Sequence, residues 1–233
     1  MTAAEILMLS FAGAILMGTL LLMLPPASVG ESLSFVDALF TATSATCVTG
    51  LTVVDTGTHF SPFGQMVILA LIQMGGLGIM TFSTFFLFLF GRSVSMKYHD
   101  ALSDTLGHAP AGDTRRLLKA ALGFTAAAEG IGALLLLWRF AGLFSFPRAL
   151  YHAVFHAISA FCNAGFALYS DSFVSHQGDL LVNGTLIILI VLGGIGFPVL
   201  LDLRRFLKTR CIRSFSLHTK IVLTFTGLLI VVG

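Results

Sequence analysis

The chain has 233 residues, of which 56% are hydrophobic and only 10% are charged, and its mean hydropathy is +0.95. Soluble domains contain about 45–50% apolar and about 25% charged residues, so this composition excludes an ordinary soluble protein and indicates one that lies in lipid. The net charge of +2 is too small to suggest a nucleic-acid partner, and three cysteines without a C-x-x-C pattern predict neither a disulfide framework nor a zinc site.

Four apolar segments are long enough to cross a membrane, which takes about 20 helical residues. They are Ile6–Leu24, Met66–Phe90, Leu117–Trp138 and Asn183–Leu201. A fifth segment, Ile221–Gly233, is still apolar where the sequence stops. We therefore expect the chain to be a piece of a longer protein.

Two shorter apolar stretches, Phe35–Val48 and Arg148–Phe161, lie between the first and second spans and between the third and fourth. Ser34 with Asp37 three residues later resembles a capping box, and Pro147 suits the first turn of a helix. Each stretch then runs into small polar residues and a glycine. This pattern is typical of a half-helix that enters the membrane and returns as extended chain.

The basic residues predict the orientation of these segments. Eleven of the 13 lie in two groups, one between the second and third spans and one after the fourth: Arg92, Lys97, Arg115, Arg116, Lys119, Arg204, Arg205, Lys208, Arg210, Arg213 and Lys220. By the positive-inside rule, residues 92–116 and 204–220 are predicted to be cytoplasmic basic loops. Both half-helices would then enter from the outside.

An internal repeat relates the two half-helices. Residues 40–51 match residues 155–166 at six of twelve positions: Phe40/Phe155, Ala42/Ala157, Ser44/Ser159, Ala45/Ala160, Cys47/Cys162 and Gly50/Gly165. Gly75-Gly-Leu-Gly78 in the second span similarly corresponds to Gly193-Gly-Ile-Gly196 in the fourth. The repeating unit is therefore a span, a half-helix, a return loop and a second span.

The repeat predicts an all-α membrane protein of potassium-channel-like architecture, built from units of helix, pore helix, filter loop and helix. Residues 1–91 form the first pore unit, 117–203 the second, and 221–233 the start of a third. In such a unit, backbone carbonyls of the return loop face a dehydrated cation, and a glycine supplies the unusual φ and ψ angles that this requires. Gly50 and Gly165 are the candidates. The negative end of each half-helix favours a cation, so no acidic residue is needed.

Residues 43–57 (TSATCVTGLTVVDTG) and 72–81 (IQMGGLGIMT) closely resemble the Trk/Ktr/HKT superfamily of potassium transporters, and within it the KtrB-like (TrkH/KtrB) pore subunits. The resemblance covers essentially the whole chain. It implies four units around one pore, each with a filter strand that keeps only the glycine. Two units cannot encircle an ion, so the chain would be an N-terminal half. The implied potassium-binding filter residues are Val48, Thr49, Gly50, Leu51, Asn163, Ala164, Gly165 and Phe166.

The resemblance also implies a function and partners. It implies potassium uptake in a bacterial cell membrane, driven by the membrane potential, with sodium coupling left open. The expected transported ion is K⁺, with Na⁺ left open as a second, coupled ion, and no covalent cofactor or enzymatic activity is expected. The expected partners are membrane lipid, a second copy of the pore subunit and a cytosolic nucleotide-binding regulatory subunit of the KtrA/TrkA type.

The glycines have structural alternatives to these roles. Gly50 and Gly165 are interpreted as filter glycines rather than simple turn glycines, because both occupy the same point of a repeated unit. Six glycines in the second and fourth spans are assigned to close helix packing, with a gating hinge as the alternative. They are Gly75, Gly76, Gly78, Gly193, Gly194 and Gly196.

Several polar residues could serve either structure or function. Glu129 lies inside the third span, where an ionisable group is costly, and either packing or a functional role is compatible with its glycine neighbours. His152 and His156 are one helical turn apart, but no third ligand accompanies them, so packing is favoured over metal binding. Asp55 and His59 follow the first filter segment and are candidates for attracting cations in an outer vestibule.

Two other functional classes compete with a potassium-uptake pore. One is a subunit of an ordinary multimeric cation channel, assembled from several two-unit chains. The other is a membrane enzyme that uses Cys47, Asp55 or His59. The repeated cysteine at position 162 argues against the enzyme, since both cysteines are expected to be small buried residues beneath the filter.

Overall fold

The computed structural model of the chain describes residues 3–78, 114–196, 199, 202 and 215–232. Within these ranges the fold is helical, and its one extended pairing is an isolated antiparallel bridge between Ser28 and Phe60. The helices are α1 (Ala3–Leu22), α2 (Phe35–Thr46), α3 (Thr56–His59), α4 (Pro62–Gly76), α5 (Thr114–Phe140), α6 (Phe146–Phe161), α7 (Leu180–Gly194) and α8 (Leu217–Val232). The predicted all-α class is confirmed.

One helix of the described residues is both long enough and apolar enough to cross a membrane by itself, the 22-residue segment Lys119–Phe140 of α5. The outer surface of α5 is strongly apolar, because Leu134 and Trp138 are 66% and 74% exposed. Leu229 on α8 is similarly 68% exposed. Large apolar side chains on the outside of a helical protein indicate a surface that meets lipid or another protein segment.

The half-helices agree closely with the prediction. Ser34 caps α2: its hydroxyl accepts a 3.2 Å hydrogen bond from the Asp37 N–H and donates a 2.7 Å bond to the Asp37 carboxylate. Helix α2 ends at Thr46, two residues before its predicted end, whereas α6 carries Pro147 in its first turn and ends at Phe161 as predicted. With 12 and 16 residues, both helices are too short to span the hydrocarbon layer.

Two helices, α4 and α7, end before the C-terminal limits of the spans predicted for them. Helix α4 ends at Gly76, and Gly78 follows with a φ of +77°; helix α7 ends at Gly194, and Gly196 follows with a φ of +82°. A left-handed glycine just beyond the last turn is a common helix terminator. The predicted spans therefore do not continue as unbroken helices, and residues 79–90 of the second span lie outside the described part of the chain.

The helices pack as two groups of three. Helices α1, α2 and α4 contact one another, as do α5, α6 and α7, and α4 packs on α6 across the two groups. Each half-helix lies between its two longer neighbours and presents fully buried alanines to them: Ala38, Ala42, Ala45, Ala149, Ala153 and Ala157. Small side chains let the surrounding helices approach closely, so the half-helix occupies the centre of its group.

Helix α8 begins four residues before the predicted apolar segment. Its first turn is tied to Asp202, whose carboxylate accepts a 3.0 Å bond from the Ser216 N–H and a 2.6 Å bond from the Thr219 hydroxyl. Most of the two predicted basic loops, 92–116 and 204–220, lies outside the described residues. Their cytoplasmic location and the boundaries of the pore units stay predictions.

Candidate ion-binding site

The chain leaves α2 and α6 through turns of the same backbone conformation. Val48 and Asn163 have φ angles of 57° and 59°, and two residues later Gly50 and Gly165 have φ angles of 75° and 72°. A left-handed conformation is unfavourable for a β-branched residue such as Val48, so the surrounding structure must impose it. The sequence repeat is therefore matched by a repeat in backbone geometry.

Hydrogen bonds tie each turn to the end of its half-helix. The Thr49 N–H donates to the Ser44 carbonyl at 2.9 Å, and the Ala164 N–H donates to the Ser159 carbonyl at 2.8 Å. These bonds direct N–H groups of both turns back toward α2 and α6. The turns are thus fixed by the half-helices that precede them.

The two turns lie against each other. A β-carbon at Gly50 would lie 2.8 Å from the Ala164 carbonyl oxygen, and one at Gly165 would lie 3.1 Å from the Gly50 Cα. A side chain at Gly50 would collide with backbone of the second turn, and one at Gly165 would require the first turn to shift by a few tenths of an ångström. The structure therefore brings the two predicted filter segments together, and both glycines are required by close approach as well as by φ.

The carbonyl groups of the two turns are not equivalent. The buried Ser159 hydroxyl donates a 2.6 Å hydrogen bond to the Phe166 carbonyl oxygen, which directs this oxygen toward α6. In the first turn the Ser44 hydroxyl instead accepts a 2.9 Å bond from the Thr49 hydroxyl, and Leu51 is 61% exposed. Of the eight predicted carbonyls, that of Phe166 is already engaged within the chain.

His156 of α6 holds the loop that follows the second turn, at Leu168. Its Nε2 accepts a 3.0 Å bond from the Leu168 N–H, so its proton lies on Nδ1, which is 2.8 Å from the His152 carbonyl oxygen. The ring is 1% exposed and stacks on Tyr169 with a centroid separation of 5.0 Å. Both ring nitrogens are thus occupied by backbone groups. Among the described residues, no group of three or more His, Cys, Asp or Glu side chains could hold a metal ion.

Two of the repeated glycines permit contact between the long helices and the half-helices. A β-carbon at Gly75 would lie 2.0 Å from the Thr46 carbonyl oxygen, and one at Gly193 would lie 1.7 Å from the Phe161 carbonyl oxygen. Thr46 and Phe161 are the last residues of α2 and α6. These contacts support the packing role assigned from the sequence.

The next pair of glycines differs between the two units. A β-carbon at Gly76 would lie 2.3 Å from the Cys162 sulfur, whereas one at Gly194 would meet only the Asn163 amide nitrogen at 3.8 Å. Cys162 is buried by this contact, but Cys47 is exposed. The expectation that both cysteines are buried is therefore wrong for Cys47, because no described residue covers it.

The loops that follow the two turns are also in contact. Asp55 caps α3 by accepting bonds of 2.8 and 2.9 Å from the Thr58 N–H and hydroxyl, and Ser170 of the second group bonds to the same carboxylate. Burial raises the pKa of Asp55, but the bonds from Ser170 and Thr58 outweigh it, so the net pKa is lowered. A β-carbon at Gly57 would lie 2.2 Å from the Leu168 carbonyl oxygen. Asp55 thus has a structural role as a charged cap.

One polar pair crosses between the groups inside the helical layer. The Gln73 Nε2 of α4 donates a 3.0 Å hydrogen bond to Oε1 of Glu129 in α5. Sequence analysis identified Glu129 but not its partner, because a single glutamine within a long apolar segment carries no distinctive pattern.

Comparison with known proteins defines the class to which this helical membrane protein belongs. A TrkH family profile, described as cation transport protein, matches residues 3–233. The chain belongs to the TrkH family of cation transport proteins. This membership gives no support to the membrane-enzyme alternative.

The chain is also similar to curated members of the family. It is 44% identical over 228 residues to the Ktr system potassium uptake protein B of Bacillus subtilis, and this alignment covers 98% of this chain and 50% of that protein. Identity to the protein of the same name from Vibrio alginolyticus is 44% over 229 residues, with the same coverage. Identity to the potassium/sodium uptake protein NtpJ of Enterococcus hirae is 38% over 220 residues, covering 94% of this chain and 48% of that protein. The chain spans about half the length of these relatives.

Proposed function

We propose that this chain forms part of a potassium-uptake pore, in which backbone carbonyl oxygens of two opposed turns replace water around the ion. The observation that carries the proposal is the contact between Gly50 and Gly165, two left-handed glycines at equivalent points of a repeat. The relatives named as potassium uptake and potassium/sodium uptake proteins support K⁺ as the transported ion.

The chemistry of such a site needs no acidic side chain. Helices α2 and α6 both end immediately before a turn, so the partial negative charge at each C-terminus lies close to it and favours a cation. Carbonyl oxygens then supply the direct ligands. We assign this role to residues 48–51 in the first turn and 163–165 in the second. Phe166 is the weakest of the predicted ligands, because its oxygen already accepts a bond from Ser159.

Two turns supply only part of a ring around an ion. We infer that two further units complete it in the parent protein, since the relatives are about twice as long as this chain. Uptake driven by the membrane potential, coupling to sodium, location in the plasma membrane, a homodimeric pore subunit and a cytosolic nucleotide-binding regulatory subunit are further parts of the proposal. They rest on the family resemblance.

The proposal is tested by potassium uptake into a bacterial strain that lacks its own potassium transporters. The full-length parent protein is expressed with Gly50→Ser or Gly165→Ser. Because either side chain crowds the facing turn and is strained at a positive φ, both variants are expected to lose much of their potassium affinity and their discrimination against sodium. Gly13→Ser is the matched control, since a β-carbon at Gly13 meets no atom within 4 Å. Unchanged affinity and unchanged sodium rejection in both filter variants would remove the assignment.

A further inference from the structure

The Gln73–Glu129 pair joins the two helical groups at a point distant from the chain ends. Gln73 lies one turn before Gly76, the residue that contacts Cys162, and Glu129 lies within the membrane-spanning part of α5. Both side chains are partly buried. At the sequence offset that relates Gly50 to Gly165, the first unit has Ala14 in place of Glu129. The acid therefore belongs to the contact between units and is not a property of the repeat.

One polar atom of this pair has no hydrogen-bond partner among the described residues. The Gln73 Oε1 is buried and has no hydrogen-bond partner among the described residues, while its amide nitrogen already donates to Glu129. An amide oxygen can only accept, so it needs a donor close by. A carboxylate has no donor, but a protonated carboxylic acid has one O–H and an acceptor oxygen. A carboxylic acid and an amide can thus form a ring with two hydrogen bonds that satisfies both side chains.

The surroundings favour the neutral acid. The Gln73 amide is bonded to the Glu129 carboxyl, and among the described residues no Lys or Arg forms an ion pair with it. An ionised carboxyl in the membrane is costly unless a positive group or water compensates it. The residues one turn away on α5, Thr125, Ala126, Gly132 and Ala133, supply no charged side chain.

We propose that Glu129 is a proton-binding site whose protonated carboxyl pairs with the Gln73 amide and fastens α4 to α5. The acid O–H donates to the Gln73 Oε1, and the second carboxyl oxygen accepts from the Gln73 Nε2. The pair fixes α4 close to the Gly76–Cys162 contact and so holds the first group against the second. Its ligand is a proton, and the inference does not depend on which cation the turns bind.

The protonation state is measured by infrared spectroscopy of the purified full-length protein in lipid near neutral pH. The wild type is expected to show a carbonyl stretching band of a protonated carboxyl that is absent from Glu129→Gln and shifted in Gln73→Leu, where the acid loses its partner. Glu31→Gln, at an exposed position, is the matched control and leaves the band unchanged. A spectrum in which Glu129→Gln removes no such band would overturn the proposal.

Stability and uptake provide a second, independent measurement. Glu129→Gln is expected to keep the wild-type Tm and potassium uptake, because two amides form the same ring. Gln73→Leu should lower Tm by about 2–4 °C through loss of the paired hydrogen bonds. The exchanged pair, Gln73→Glu with Glu129→Gln, should restore Tm, and it keeps the test decisive if Gln73→Leu does not fold. A several-fold loss of uptake in Glu129→Gln, with uptake retained in Glu129→Asp, would show that a carboxylate is needed and would contradict the proposal.

Discussion

Val48 and Asn163 adopt the same left-handed conformation, yet different side chains stabilise the two turns that contain them. Behind the second turn, His156 accepts from the Leu168 N–H and the Ser159 hydroxyl donates to the Phe166 carbonyl. In the first unit Thr41 occupies the position that corresponds to His156, and its hydroxyl donates to the Asp37 carbonyl within α2. A common backbone is thus held by side chains that the repeat does not share.

Replacement of His156 tests this support. His156→Leu removes the acceptor of the buried Leu168 N–H, and we expect the free energy of unfolding to fall by about 1–3 kcal/mol. The return loop should also loosen, so discrimination between potassium and sodium is expected to weaken. His156→Gln, which retains an acceptor, should recover part of both losses. Thermal unfolding and rubidium uptake in competition with sodium measure the two effects.

The control for this prediction is His176→Leu, because His176 is partly exposed and its ring, like that of His156, packs on Tyr169. It is expected to change selectivity little. Equal effects of His156→Leu and His176→Leu would show that aromatic packing, and not the bond to the Leu168 N–H, maintains the loop.

At this scale the positive φ of Gly50 and Gly165 was predictable from the sequence, whereas the contacts that surround them were not. Gly50 and Gly165 were identifiable because the repeat aligns them and glycine alone accepts a positive φ without strain. The positive φ of Val48 was not predictable, since local sterics oppose it and only the surrounding fold imposes it. The exposure of Cys47 and the partnership of Gln73 with Glu129 depend on which helices become neighbours, and that information is not local.

Among the helices, α4 and α7 show how glycines interrupt a predicted span. Each has 15 residues, and at 1.5 Å per residue such a helix is about 22 Å long, less than the hydrocarbon layer of about 30 Å. Hydropathy predicted unbroken spans through Gly78 and Gly196, because it measures apolar character and contains no information on backbone conformation. The start of α2 was predicted correctly, since its Ser34 cap acts through adjacent residues, whereas α4 and α7 begin four and three residues before their predicted starts.

Substitution of the packing glycines tests the contact of α7 with α6. Gly193→Ala would place a β-carbon 1.7 Å from the Phe161 carbonyl oxygen, a backbone atom that cannot rotate away. We expect a loss of about 1–3 kcal/mol in stability and a reduced yield of folded protein. Gly184→Ala in the same helix is the control: no atom lies within 4 Å of its β-carbon, and alanine is the better helix former, so Tm should be unchanged or slightly higher. Equal tolerance of both substitutions would contradict the tight contact.

For the whole molecule, the sequence repeat predicted two similar units but not how they fit together. The contact of α4 with α6, the approach of Gly50 to Gly165 and the bond from Ser170 to Asp55 all join the two groups. A repeat shows what each unit folds into, whereas the contact between units depends on side chains that differ between them. The arrangement with further units, a second pore subunit and a regulatory partner stays a prediction.

The Asp55 carboxylate, which bonds to Thr58 and Ser170, predicts a dependence of stability on pH. The pKa of Asp55 is lowered in the folded protein, so its stabilising contribution is complete at neutral pH and is lost as the pH falls through that lowered pKa, below the ordinary value of 3.8. Asp55→Ala removes a helix cap and is expected to cost about 1 kcal/mol at neutral pH. The difference in Tm between wild type and Asp55→Ala should shrink in acid. Thermal unfolding at a series of pH values measures it, with Glu31→Gln as control; a difference that is constant with pH would contradict the prediction.

The mutual contact of Gly50 and Gly165 couples the two positions to each other. The space for a side chain at one glycine is set by main chain of the other turn, so a displacement of either turn changes which residue the other turn accepts. Flanking positions such as Thr41 and His156 lie away from this contact and carry different residues in the two units.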